Sequence, residues 1–392
     1  MKCVSALSTD RNTEAALHDV TGRVAAGLGG EPATLAVAFV SPHHAESLGK
    51  LMKECLSRGI CSHFLGVTGE TIVGEGREIE AAAAVSLWAI RLPEGVSAIP
   101  VRLTWDENGC AGMPPEARAM GEAGRTLLLA GDPFSFPPDR LFKDLEVAAP
   151  GLRVVGGMAS GANAAGGNRL ALDGEIFESG AVGMLLDGPI AVRTVVSQGC
   201  RPVGRPMVIT KAEGNIIKEL GRRTAVEVLR ETFTTLDEAD QALIREGLHV
   251  GRVINEYQES FHQGDFLVRN VMGADTEGGI AITDLVRVGQ TVQFHVRDAA
   301  SADSDLHELL ALDRANHPGS KVVGGLLFSC NGRGSRLFSE PDHDVNAFQE
   351  AFGPIPVAGF FAMGELGPVG GKNFVHGFTA SLALFEETVN PS

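Results

Sequence analysis

The stretch FSCNGRGSRLF, residues 328–338, concentrates groups that can do chemistry. Cys330 closes an apolar run. Asn331 can both donate and accept hydrogen bonds. Gly332 and Gly334 permit positive φ and expose backbone N–H groups, which in succession form an anion-binding nest. Arg333 and Arg336 carry forked donors that match a carboxylate. The apolar run ends at Ser329-Cys330, so these side chains fall at the carboxyl end of a strand, where open α/β sheets hold ligands. Three readings of Cys330 follow. It is a small packed residue with Arg333 paired to a nearby acid, or a wall of a ligand pocket, or a nucleophile. The last needs an electropositive partner, which Arg333 and the loop N–H groups would supply, and a base, for which His343 and His376 are candidates.

A second chemical stretch is GFFAMGELGPVGGKNFVHGFTA, residues 359–380. Gly364-Glu365 follows an apolar strand, and Glu365 is suited to bind an ammonium group or to cap backbone amides. His376 and Thr379 stand near the next strand, and His376 is a group that titrates near neutrality. A third is VSQGCRPVG, where Gln198 and Arg201 sit in a turn shaped by Gly199 and Pro202. Turn chemistry alone accounts for the glycine and proline, so a structural role for Arg201 stands beside a ligand contact. The loops GVTGE (66–70) and VVGGMASGANAAGG (154–167) lack the Lys-Ser/Thr of a P-loop and a clean GxGxxG. The Gly-Glu pair at Glu70 resembles the one at Glu365, which makes two sites conceivable.

Composition bounds the rest. The chain has 392 residues, 44% hydrophobic and 21% charged, enough for two domains with substantial cores. A formal charge of −16 disfavours nucleic acid as a partner. Six cysteines lie scattered without CxxC or companion histidine spacing, so reduced thiols are expected and a metal site is not. No run is apolar enough to span a membrane and no export signal is visible, which points to a cytoplasmic protein without a membrane partner. No cofactor motif is present, and none is expected.

Three segments read as versions of one unit that would position these residues. TLAVAFVS, a helix in PHHAESLGKLMKECLSRG, HFLGVTGETIVGEG and AAAAVSLWAIRL form the first. RTLLLAGDP, a helix around PPDRLFKDLEVAAPG, RVVGGMASGAN and ESGAVGMLLDG form the second. VGGLLFSCNGRG, a helix around DVNAFQEAFG, VAGFFAMGELGPVGG and VHGFTASLALFEE form the third. Each predicts strand, crossover helix, strand, glycine loop and returning strand. Between the second and third lies alternating antiparallel sequence such as TVQFHVRDA, and a helix with an acidic start in RDAASADSDLHELLALDRANHPGS. A boundary falls near 232–248, which is polar and lacks a strand. The expected fold is α/β to α+β, with mixed β-sheets layered with helices and two domains built from divergent β-α-β-β units.

The ordered motifs VVGGMASGANAAGGNRLALDGEIFESGAVGMLL, VSQGCRPVG, GDFLVRNVMGADTEGGIAI, VGQTVQFHVRDA, FSCNGRG, GFFAMGELGPVGG and HGFTASLALF resemble the FIST family, the F-box and intracellular signal transduction proteins. The resemblance covers roughly 30 to 390. It implies a leader helix over 1–30, an N-terminal FIST domain over 31–235 and a C-terminal one over 245–390. It also implies an intracellular sensor of a small ligand, such as an amino acid or another small carboxylate, that signals through a separate output protein. The ligand-binding residues expected are Cys330, Asn331, Arg333, Gly364, Glu365, His376, Gln198 and Arg201, with no catalytic residue assigned. The alternative is a cysteine-dependent enzyme of acyl or amide chemistry using Cys330.

Overall fold

The computed structural model describes residues 1–118, 125–258 and 260–387. The chain forms two compact units. One comprises 1–196, 307–375 and 379–392, and the other 197–306 with 376–378. The fold is α+β with mixed sheets, as the sequence predicts. Residues 1–30, expected as a leader helix, hold the strand Lys2–Ser8 as well as the helix Thr13–Leu28. The last three residues of the expected 245–390 domain lie outside the described residues.

All three β-α-β-β segments lie in the first unit, apart from residues 376–378 of the third. Ala33–Val40 and Cys61–Thr68 pair in parallel across the helix Leu48–Ser57. Thr126–Gly131 and Arg153–Met158 do so across Pro138–Ala148, and Val322–Cys330 and Val357–Ala362 across His343–Phe352. In each segment the returning strand adds antiparallel to the first strand of its pair: Val85–Arg91, Ala181–Asp187 and Thr379–Glu386 respectively.

The hairpin within each segment leaves its own sheet. Ile72–Gly74 of the first segment pairs with Val357–Ala362 of the third. Leu170–Leu172 of the second pairs with Cys61–Thr68 of the first, and Glu365–Val369 of the third with Arg153–Met158 of the second. The three segments thus exchange hairpins in a closed cycle. A parallel strand presents an open edge that invites pairing; here each parallel pair is covered by a neighbour's hairpin.

The strands are apolar on both faces because both are buried, as expected where helices cover a partly parallel sheet. In Ala33–Val40, Leu35, Val37 and Phe39 enter one core, while Ala36, Ala38 and Val40 pack with the helix residues Leu17, Val20, Leu51 and Met52 in another. The first core draws on all three sheets. Phe39 and Phe360 stack at 5.5 Å, and Phe328 meets both rings edge-on. Close backbone approach explains two glycines. A Cβ on Gly156 would stand 1.9 Å from Leu129 O, and one on Gly359 would stand 1.8 Å from Leu327 O. Both sit at the parallel pair of their segment, so the same constraint recurs in two copies.

The second unit is an antiparallel barrel. Its strands run in the order Cys200–Glu213, Thr291–Arg297, Leu248–Val253, Phe266–Ala274, Ile280–Ile282 and Ile216–Leu220, and the last pairs back to the first. Val203, Ile209, Ile217, Val250, Ile282 and Phe294 fill it. The expected acidic-start helix is Ala299–Asn316, with Asp298 Oδ1 accepting from the N–H groups of Ala300 and Ser301.

Candidate functional site

The strand ends of the third segment place Cys330. Its parallel partner is Ala362, and Asn331 N–H donates to Ala362 O at 3.1 Å. The chain then turns tightly, with Arg333 N–H on Cys330 O at 2.8 Å. Gly332 N–H points at Cys330 Sγ, 3.4 Å away. Glu80 of the first segment's hairpin anchors the far side of the loop by accepting from Ser335 N–H and Oγ. The loop is therefore pinned at both ends, and Cys330, Asn331 and Gly332 are half-buried at its mouth.

Arg333 turns inward. Its side chain is fully buried, and Nε and Nη2 each donate to Asp344 at 2.7 Å. The fork expected to meet a ligand carboxylate is taken by a carboxylate of the protein. The reason is positional: Asp344 opens the helix His343–Phe352 directly above the loop, and a buried guanidinium requires a bidentate counter-ion. Burial opposes ionisation of Asp344. The charge of Arg333, with hydrogen bonds from His343, Arg333 and Ser329, holds its carboxyl well below the usual range all the same. Burial pushes nearby Glu78 up to about 8, helped by the negative charge of Asp344. One buried cation supports one anion, so the second carboxyl keeps its proton. Arg333 retains one donor, Nη1, that is buried without a hydrogen-bond partner.

Glu365 begins the hairpin strand that follows and is also fully buried. Its Oε2 accepts from Thr379 N–H at 3.2 Å and Thr379 Oγ1 at 2.8 Å. The Cys330 thiol lies against the same carboxyl. Burial raises this carboxyl to about 8, against the pull of the Thr379 hydrogen bonds and the charge of Arg333. Its Oε1 is buried with no hydrogen-bond donor, as is Asn331 Oδ1 with respect to its own donors. The structure thus brings Cys330, Asn331, Arg333, Gly364 and Glu365 together at one pair of strand ends.

Gln198, Arg201 and His376 belong to the second unit. Gln198 N–H donates to Asp305 and its Nε2 to Phe266 O at 2.7 Å, while its Oε1 is buried without a partner. Arg201 pairs with Asp298 at 2.6 Å and with Asp240, the structural role that its turn chemistry suggests. His376 is buried at the end of Lys372–His376.

Sequence reasoning missed Asp344, Glu78 and the junction at Ser160. Ser160 of the second segment accepts Glu70 N–H at 2.9 Å and donates to Phe361 O, tying all three segments at their strand ends. Nothing local marks these residues, since each acts on a segment distant in sequence. Glu70 lines a cavity of about 440 Å³ with Arg11, His43 and Ala81–Ala83. Arg336 joins this cavity to the Cys330 loop by donating to Glu70 and, at 2.7 Å, to Asn331 O.

Residues 34–223 match the FIST N domain and residues 225–368 the FIST C domain. The chain belongs to the FIST family. FIST domains are associated with signal transduction and small-ligand sensing. The chain is 43% identical over 358 residues to an uncharacterized protein of Mycobacterium tuberculosis, covering 91% of this chain and 92% of that one. It is 40% identical over 378 residues to an uncharacterized protein of Mycobacterium bovis, covering 96% and 97%. The boundary between the two FIST matches, at 223–225, does not coincide with the compact units, because the third β-α-β-β segment lies in the C-terminal half of the sequence but in the first unit. Among the described residues no helix is long and apolar enough to cross a membrane.

Proposed function

We propose that the chain is a cytoplasmic small-ligand sensor whose ligand is an amino acid or another small carboxylate, read out by a separate signalling protein. The ligand site is the strand-end cluster of Cys330, Asn331, Arg333, Gly364 and Glu365 in the first unit. Gln198, Arg201 and His376 are proposed as ligand contacts of the second unit. One observation carries the reading: Arg333 Nη1, Asn331 Oδ1 and Glu365 Oε1 are buried polar atoms without partners around a half-buried mouth. Buried polar groups are rarely left unpaired, and a bound ligand with donors and acceptors removes that cost. A ligand ammonium beside Glu365 would also draw its raised carboxyl into the ionised form.

Calorimetric titration with amino acids and simple carboxylates tests this. Saturable heat is expected with at least one, weakened in Asn331→Ala and Glu365→Gln variants of unchanged fold. Flat titrations across the panel with folded protein would sink the reading.

A second reading, acyl or amide chemistry at Cys330, draws on Gly332 N–H at Sγ and on the carboxyl beside the thiol. It requires iodoacetamide to label Cys330 faster in the folded than in the denatured chain between pH 6 and 9.

A further inference from the structure

The cations around the Cys330 loop are already engaged. Arg333 holds Asp344 with Nε and Nη2. Arg336 donates to Glu70 and stands in the field of Glu80 as well. The carboxyls Asp344, Glu70, Glu80, Glu78 and Glu365 outnumber the guanidinium groups of Arg333 and Arg336. Such a balance does not draw in an anion. What it leaves open is capacity to accept hydrogen bonds. Glu365 Oε1 and Asn331 Oδ1 are both buried without a hydrogen-bond partner, at a mouth where Cys330, Asn331 and Gly332 are half-buried. An ammonium group has three donors to offer such acceptors.

Burial keeps the Glu365 carboxyl neutral up to about pH 8. Thr379 N–H and Oγ1 both donate to Oε2, so Oε2 acts as the carbonyl oxygen and Oε1 carries the proton. A cation arriving at Oε1 supplies the counter-charge that the fold withholds, and the carboxyl then ionises. Building on the small-ligand reading, we infer that the strand-end cluster binds a primary amine through its ammonium group, with Glu365 and Asn331 as acceptors, and that each amine bound releases one proton. A ligand carboxylate is dispensable. The donor left over, Arg333 Nη1, needs only a neutral oxygen beside the amine, as in an amino alcohol or an amino amide.

The exchange balances with water as the destination of the proton. The amine enters as its ammonium ion, the O–H bond of Glu365 breaks, and the proton passes to solvent. The ion pair formed has the same net charge as the neutral carboxyl it replaces, and no covalent bond to the ligand is made. The third ammonium donor points to the half-buried mouth, which keeps the pair satisfied. The titratable and charged groups facing this carboxyl are Cys330 and Arg333, the latter held by Asp344. From the other strands packed on it come Gly157 and Thr379, which do not titrate.

The test is calorimetry of the full chain at pH 6.5 in phosphate and in MES, buffers of different ionisation enthalpy. The panel is ethanolamine, amino acids, their amides, acetate and lactate. Saturable heat is expected with ethanolamine or at least one amide, and its buffer dependence should count about one proton released per amine bound. Ethanolamine affinity should rise about tenfold from pH 6 to pH 7 and level off above pH 8. Glu365→Gln should bind at least about tenfold more weakly and release no proton, the loss expected when a charged acceptor becomes neutral. Amine binding without proton release, or of equal strength in Glu365→Gln, would overturn the inference and leave the sensor reading intact. Heat confined to the carboxylate-bearing members of the panel would do the same. Heat from no member at all would remove both.

Discussion

Arg333 and Asp344 form a two-pronged ion pair with both side chains shut off from solvent. This relationship decides what the FSCNGRG loop can be. The arginine fixes the loop to the first turn of the helix above it, and what remains for a ligand is Nη1, the thiol and the carboxyl of Glu365. Removing one member leaves an uncompensated buried charge, which costs about 3–5 kcal/mol. Arg333→Ala and Asp344→Ala should each lose that much in denaturant unfolding. The double replacement Arg333→Met with Asp344→Leu should lose less than the sum of the two single changes.

The raised carboxyl of Glu365 gives stability a pH signature. Its folded value is about 8, above the ordinary carboxylate range. The folded state therefore binds more protons than the unfolded state between about pH 4.5 and 8, and stability falls as pH rises through that window. Asp344 acts with the opposite sign and only under acid, where protonation costs the native state its ion pair. The melting temperature of the wild type should drop from pH 5 to pH 8.5. The decline should be shallower in Glu365→Gln, whose amide cannot ionise. Equal slopes would contradict a buried, proton-holding carboxyl.

The closest backbone approach in the third segment is at Gly359. A methyl group there would fall 1.8 Å from Leu327 O and force the parallel pair apart. Gly359→Ala should reduce soluble folded protein or destabilise it by several kcal/mol, more than the ~1 kcal/mol typical of a point change. Gly30→Ala offers a comparison, because no atom lies within 4 Å of its Cβ position, although its positive φ leaves backbone strain.

Ser160 links three segments through one hydroxyl. Ser160→Ala leaves Glu70 N–H and Phe361 O without that partner, and a buried unpaired group costs about 1–3 kcal/mol. Hydrogen exchange should quicken at the amide of Glu70, which donates to Ser160 Oγ, in this variant while the barrel of the second unit stays protected.

The central aromatic cluster should dominate the stability of the first unit. Phe360 is fully buried and touches Phe39 and Phe328 from two other strands. Phe360→Ala should cost about 3–5 kcal/mol by urea titration, the range for a large aromatic removed from a core.

Much of this protein was decided by local sequence. Runs such as TLAVAFV and GGLLFSC are apolar on both alternating faces, and only a strand buried on both sides tolerates that. The helices at 48–57, 138–148 and 343–352 follow from apolar spacing, and the strand-end placement of Cys330 and Glu365 follows from where the apolar runs stop. Tertiary structure decided what those runs could not encode singly. A hairpin of three-residue strands such as Ile72–Gly74 carries no signal of which sheet it will join, so the cyclic exchange among the segments was invisible. Arg333 looked like a surface fork because nothing near it in sequence announces Asp344, 11 residues on and in the first turn of the helix His343–Phe352. His376 and Cys330 sit 46 residues apart in sequence, and only the folded chain assigns them to different compact units. The division is physical: local periodicity sets the elements, while the pairing of buried charges and strand edges depends on partners that chain distance hides.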